Sequence, residues 1–244
     1  MIEYLLYFLL TLFLSTIFAI AGLGSAVALV PGLNMAGLAF DLSRASGLFV
    51  NSVTTITTSG LNLKKKLFDF KFVAPLVISS SIFALIGAKL SFLVDTDTLK
   101  TIFACVLFII ASMILFFKKP VRRDGGSLNR SILLIAGSIG GVFSGFLGIG
   151  GGSIIAPILL LSGYDAKKIA IGISFVIPFS SIVAFTSYAS AMELDYTLLS
   201  VVGAAAYMGG MAGNYILHFK VSSAMIRKIL AIALYSIAVK MLLG

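Results

Sequence analysis

The sequence predicts an all-α integral membrane protein made of two inverted-topology repeats, each with one glycine-broken, re-entrant hairpin segment and three transmembrane helices. Three observations predict this. Hydrophobic residues make up 59% of the 244 positions and charged residues only 11%, far from globular averages. The chain also overlays itself at an offset of 126: Asp69-Phe70 falls on Asp195-Tyr196, Pro31 on Pro157, Gly87 on Gly213 and Leu99 on Met225. Finally, the charges at matching turns often differ in sign, as two halves of opposite orientation require.

Apolar runs separated by polar turns give eight segments, four per repeat. They are 2–30, 46–62, 70–94 and 98–117, then 131–161, 169–191, 197–219 and 224–243. Each is long enough for a bilayer crossing of about 20 residues, and none shows the alternating apolar–polar period of a membrane strand. The basic, glycine-containing stretch KKPVRRDGGSLNR separates a first repeat, 1–118, from a second, 131–244, with 119–130 as a cytoplasmic linker. The opening MIEYLLYFLL carries an acid and no basic region, so a cleaved signal peptide is not expected.

Loop charge selects the topology. If the first segment of each repeat enters and returns on one face, Lys64, Lys65, Lys66, Lys71, Lys118, Lys119, Arg122, Arg123, Arg130, Lys167, Lys168, Lys220, Arg227 and Lys228 share the cytoplasmic side. Arg44, Lys100 and Lys240 then lie outside, beside Glu3, Asp41, Asp95, Asp97, Glu193 and Asp195. Eight plain crossings divide the same cations almost evenly, so the positive-inside rule favours hairpins. The net charge of +9 thereby reads as orientation in the cell inner (cytoplasmic) membrane, with the lipid bilayer as partner and no nucleic acid. Lys89, inside a segment near its outer end, reads as a snorkelling side chain. His218 reads as interfacial, and Cys105 as a packing residue.

The hairpin segments are the least like lipid-facing helix. In GSIGGVFSGFLGIGGGSIIAP, Gly137, Gly141 and Gly145 recur every fourth residue and form a small face for close helix packing. Gly148, Gly150, Gly151 and Gly152 then interrupt the helix, Ser153 offers a hydroxyl at the restart, and Pro157 suits the first turn of a new half-helix. A fainter copy sets Ser15 under Gly141, Ala19 under Gly145, Gly22 under Gly148, Gly24 under Gly150 and Ser25 under Gly151. Unwound backbone at membrane depth must be buried in protein or line a wet cavity, so paired breaks point to a midplane binding site.

The chemistry there favours an anion. Glycine exposes backbone N–H groups, and a helix N-terminus carries partial positive charge. No carboxylate falls in the middle of any segment, as a proton- or sodium-coupled cation carrier usually requires. Asn51 and Thr54 in the second segment, with Ser174 and Ser180 in the sixth, add neutral donors. Such hydroxyls also bond their own helix carbonyls; the amide of Asn51 has no such refuge. The candidate substrate-binding set is Gly24, Ser25, Asn51, Thr54, Gly150, Gly151, Gly152, Ser153, Ser174 and Ser180. Pro178 is expected to kink its helix.

Enzyme readings find no support. No Lys-Ser/Thr follows the glycine run and no strand precedes it, as a phosphate loop requires. One histidine and one cysteine cannot supply a zinc ligand set. No cofactor, metal or catalytic residue is expected.

The stretch FSGFLGIGGGSIIAPILLLSGYDAKKIAIGISFVIPFSS resembles the TauE/SafE sulfite exporter family of membrane permeases. The glycine break, the proline after it, the turn Gly163-Tyr164-Asp165 and Ala170-Ile-Gly172-Ile-Ser174 all look like the family's repeated motif. The first repeat departs from it, with GLGSAVALVP for the glycine run and Ala45-Ser-Gly47-Leu-Phe49 for the later element. The resemblance implies a permease for sulfite, sulfonates or related organosulfur anions. The expected function is therefore secondary transport of a small sulfur-containing oxyanion by alternating access. A channel or carrier for another small anion such as a carboxylate, and a non-transporting scaffold, remain as alternatives. The sequence leaves homodimerisation open.

Overall fold

The structure, a computed structural model, describes residues 2–21, 24–63, 69–116, 129–217 and 223–243. Gly22, Lys64 to Lys66, Lys118, His218, Lys220 and residues 119–128 of the expected linker lie outside the described residues. Everything described is helix or short turn: α1 (Ile2–Ala21), α2 (Ala26–Met35), α3 (Phe40–Leu63), α4 (Phe70–Ser91), α5 (Thr96–Phe116), α6 (Arg130–Leu147), α7 (Gly152–Leu161), α8 (Ala166–Ala191), α9 (Tyr196–Leu217) and α10 (Ser223–Leu243). Five of them, α1, α4, α5, α6 and α8, are long and apolar enough to cross a membrane. Rows of apolar side chains such as Leu5, Leu9 and Phe13 on α1, or Ile78, Ile82 and Ile86 on α4, stay exposed. Exposed apolar rows at helical spacing suit a hydrocarbon solvent. The chain is a multi-pass helical membrane protein.

Polar side chains fix the two ends of the bundle. At one end, the Tyr164 hydroxyl accepts a bond from the Asn129 N–H at 3.1 Å, which brings the end of α7 back beside the start of α6. Asn129 itself caps α6 by accepting from the N–H groups of Ser131 and Ile132. Asp69, which caps α4, joins this end through an ion pair with Lys168 at 2.7 Å. From there α8 extends for about 39 Å at 1.5 Å per residue towards Tyr188 and the turn before Asp195. At that second end, Tyr4 of α1 donates to Asp195 at 2.8 Å, and Ser91 at the close of α4 lies 3.1 Å from the Tyr188 hydroxyl. Thus α1 begins at the Asp195 end and α6 at the Asn129 end.

Helix contacts follow one pattern twice. α6 packs on α4 as α1 packs on α9; α7 packs on α8 as α2 packs on α3; α8 packs on α4 as α3 packs on α9; and α3–α8 and α5–α10 join across the middle. The tightest seams use small residues. A Cβ on Gly137 would lie 3.0 Å from the Leu76 carbonyl, one on Gly141 would overlap the Ser80 backbone, and one on Gly145 that of Ala84 and Ala88. In the other seam the glycines sit on the partner helix: Gly209 and Gly213 of α9 face Leu12, Ser15, Thr16 and Ala19 of α1. Backbones this close gain dispersion that bulky side chains would deny.

Two local details differ from the sequence reading, and a third shows how a proline gap is met. α3 starts at Phe40, six residues before the apolar run suggested, because Asp41 sits in its first turn. Pro157 lies in the second turn of α7, so it leaves the Ser153 carbonyl without its helical donor. Pro178 sits inside a continuous α8; it frees the Ser174 carbonyl, which accepts from the Ser59 hydroxyl of α3 at 2.5 Å. A neighbouring helix thus repairs the proline gap inside the membrane.

Two predictions follow from this packing. Gly141→Leu must open the α4–α6 seam and should lower detergent-solubilised stability by about 1–3 kcal/mol or more, whereas Gly60→Ala, with nothing within 4 Å, should leave it unchanged; thermal unfolding compares them. The Lys168 hydrogen bond holds the Asp69 carboxyl below the usual carboxylate range, with burial opposing and the Phe72 N–H assisting. A depressed carboxyl contributes stability above its unfolded value of about 3.9 and loses it as pH falls through the folded value. Asp69→Asn should therefore show a shallower acid loss of folded protein than the parent; equal loss in both would remove this contribution.

Candidate functional site

The site forms where the two helix breaks meet α3. Gly24 precedes α2 with φ of 82°, and Gly148 and Gly150 precede α7 with φ of 75° and 70°. L side chains rarely adopt such values, so glycine lets the chain reverse in little space. Both breaks press on one side chain: a Cβ on Gly24 would meet Oδ1 of Asn51, and a Cβ on Gly150 would meet its Nδ2. Asn51 is fully buried and stands about 16 Å along α3 from its Phe40 end, near the middle of the helix. Its Nδ2 donates to Ser181 Oγ of α8 at 3.1 Å. Its Oδ1 has no partner.

Both half-helices begin here without a side-chain cap. Ser25 occupies the N-cap position of α2 and Gly151 that of α7, and neither supplies a capping bond. The first N–H groups of a helix have no partner within it, so two partially positive helix ends adjoin Asn51. α2 leads away towards the start of α3, and α7 towards Tyr164 and the opposite end of the bundle.

The remaining candidates divide by contact. On the first-half side, Thr54 donates to Ser15 Oγ at 3.5 Å and Ser15 donates to Ser25 Oγ at 3.4 Å, while Thr54 also approaches the Ala206 carbonyl. On the second-half side, Ser153 donates back to the Gly150 carbonyl at 3.3 Å. Gly24, Ser25, Asn51, Thr54, Gly150 and Ser153 therefore belong to one contiguous zone. Gly151 packs against the Gly140 carbonyl and Gly152 against Ile173 and Ile177. Ser174 and Ser180 bond carbonyls of their own helix, those of Ile171 and Ile177.

Sequence reasoning passed over Arg44. Assigned there to an outer turn, it is only 1% exposed inside α3. Its Nη1 pairs with Asp41 at 2.8 Å; its Nη2 donates to the Phe146 carbonyl at 2.7 Å and contacts the Tyr188 hydroxyl. The guanidinium stacks on the Tyr188 ring, 4.9 Å from its centroid. The Asp41–Arg44 spacing of three was the available signal, since an i, i+3 ion pair marks a helix turn. Among the described residues Arg44 is the one buried ionic side chain, and its sign suits an anion.

Ten described helices, exposed apolar rows and two buried half-helix ends meeting beside Asn51 suit a membrane transporter built around broken helices. The family model described as sulfite exporter TauE/SafE matches residues 7–241. The chain belongs to that family of membrane transporters. It is 24% identical over 243 residues to the probable membrane transporter protein YunE of Bacillus subtilis, covering 86% of this chain and 87% of that one. It is 27% identical over 247 residues to a probable membrane transporter protein of Haemophilus influenzae, with 91% and 90% covered. Identity reaches 33% over 156 residues with the probable membrane transporter protein MJ0441 of Methanocaldococcus jannaschii, covering 62% and 57%.

Gly150→Ala forces an L residue to positive φ and drives its methyl into Asn51. The left-handed conformation alone costs about 1–2 kcal/mol, and thermal unfolding should show at least that loss. An unchanged midpoint would mean that the break relaxes freely and does not hold Asn51.

Proposed function

We propose that this protein is a secondary permease that moves a small sulfur-containing oxyanion, such as sulfite, thiosulfate or a sulfonate, across the cytoplasmic membrane by alternating access. One observation carries the reading: both helix breaks converge at mid-depth on Asn51, whose buried Oδ1 lacks a partner. An unsatisfied buried acceptor costs about 1–3 kcal/mol, and a resident water or ligand would remove that cost. Turning the amide over exchanges its donor and acceptor ends. Ser181 then donates to Oδ1 on the Gly150 side, and Nδ2 faces the Gly24 break beside the first N–H groups of α2, with those of α7 across from it. That set of neutral donors cradles an oxyanion without a counter-ion.

In this reading residues 1–118 and 131–244 are two repeats of inverted topology joined by 119–130. The duplicated contact pattern supports it, as do the opposite ends at which α1 and α6 begin. The Asn129 end, with Asp69 and Lys168, is cytoplasmic; the Asp195 end is outside. Access alternates as the seams α4–α6 and α1–α9 move as stiff arms around the fixed α3–α8 pair. Ser174 and Ser180 would join the shell only by leaving their present helix carbonyls.

Uptake by proteoliposomes decides the function. Saturable flux with counterflow is expected for at least one of sulfite, thiosulfate and methanesulfonate. No flux for any anion would leave a scaffold, and flux without saturation a channel. Asn51→Asp keeps the side-chain shape and adds a negative charge, so it should reduce flux by a factor of about 100 or more in a protein that still folds. In a Cys105→Ala background, cysteine at Ser127 should label only from the cytoplasmic face and cysteine at Glu193 only from outside. Labelling of both from one face would restore eight plain crossings.

A further inference from the structure

Arg44 stands outside the donor set around Asn51, yet the two residues share one face of α3. Arg44, Leu48 and Asn51 are spaced i, i+4, i+7, which aligns them along that face, with Arg44 about 10 Å nearer the Asp195 end. The tip of the α6–α7 hairpin lies along the same stretch: Gly148 abuts the Arg44 Cα and Cβ, and its carbonyl lies 3.4 Å from where a Cβ on Gly47 would be. Leu48 fills the interval, buried with Ala184 and Tyr188.

The bonds of this arginine are incomplete in an informative way. Nη2 is occupied by the Phe146 carbonyl at the hairpin tip and by the Tyr188 hydroxyl, which in turn donates to the Gly145 carbonyl at 2.9 Å. Nη1 is held by Asp41 alone, whose side chain is 45% exposed. Nε is buried and has no partner. A guanidinium presents its N–H groups as a planar fork that matches the paired oxygens of an oxyanion. Here the fork is filled on one arm by a solvent-facing carboxylate, which water and salt weaken, and is empty at Nε. A staple evolved only for packing would gain from satisfying every donor, and apolar replacements of buried ion pairs commonly serve as well.

Resting on the anion-permease reading, we propose that Arg44 is a second oxyanion-recognition point that gates the Asp195 face, with Asp41 as the carboxylate an incoming oxyanion displaces. At rest, Asp41, Arg44 and Tyr188 tie α3 to the hairpin tip and to α8, and close the path to Asn51. An oxyanion arriving from the Asp195 face takes the Nη1–Nη2 edge: it replaces Asp41 at Nη1, which lets Asp41 swing to solvent, and it competes with the Phe146 carbonyl for Nη2, whose hold weakens. The hairpin tip can then part from α3 and pass the anion two turns inward.

The test is accessibility. Leu48→Cys, in a Cys105→Ala background, is labelled with a membrane-impermeant thiol reagent from the Asp195 face. Methanesulfonate is the probe, since sulfite itself would consume the reagent. The anion should raise the labelling rate about tenfold, within the usual range for coupled sites. Asp41→Asn should raise it to a similar extent without anion, and thermal unfolding confirms that this exposed substitution leaves the fold intact. Arg44→Lys keeps the charge, loses the fork and should lose the response to methanesulfonate. An Asp41→Asn rate equal to the parent's, or a full response in Arg44→Lys, overturns the gate. If the parent carries no anion in proteoliposomes while Asp41→Asn still opens Leu48→Cys, the permease reading falls and the Asp41–Arg44 latch stands. If anions move normally and Asp41→Asn changes nothing, the gate alone falls.

Discussion

A helix interrupted inside a bilayer exposes N–H and C=O groups that hydrocarbon cannot satisfy, and this chain interrupts two. The rest of the architecture is arranged to keep those breaks away from lipid. α3 and α8 cross the middle of the protein and enclose them; Asn51 and Ser181 stand between them. The two glycine seams hold α4 and α6, and α1 and α9, at backbone contact. The described residues at both breaks, Gly24, Ser25 and 148–153, are buried, so their unpaired groups are met from within the protein or from the aqueous phases.

That constraint explains how the polar residues are distributed. Where Pro178 frees the Ser174 carbonyl, the Ser59 hydroxyl of α3 answers it. Most hydroxyls return to their own helix, which keeps the membrane-spanning helices soluble in lipid. Among the described residues, the unpaired buried side-chain groups are Oδ1 of Asn51, Nε of Arg44 and the hydroxyls of Thr11, Ser46 and Ser144. Two of these, Asn51 and Arg44, lie on one face of α3 along the hairpin tip, the segment least able to leave polar groups unmet without a reason.

Much of this was legible in the sequence because it is encoded locally. Composition gave the membrane class, glycine runs marked both breaks, and Gly137, Gly141 and Gly145 announced a close seam by their spacing. Asn51 stood out because an amide is costly in lipid. Arg44 was hidden because an Asp and an Arg before an apolar run look like a turn; their burial depends on Tyr188, 144 residues away. The same tertiary dependence explains why Gly152 packs on Ile173 and Ile177 although its sequence context matches that of Gly150. Which glycines face Asn51 is settled by how α7 leans on α8, and no local pattern records that.

The central claim is that Asn51 and the two helix breaks form one anion site. A crystal structure of the protein with selenite, a heavier analogue of sulfite, tests it most directly through the anomalous signal of selenium. A selenium peak is expected within hydrogen-bond reach of Asn51 and the N–H groups near Gly24 and Gly150. A well-ordered site whose only selenium peaks lie at the surface, with Asn51 still unoccupied, would contradict it.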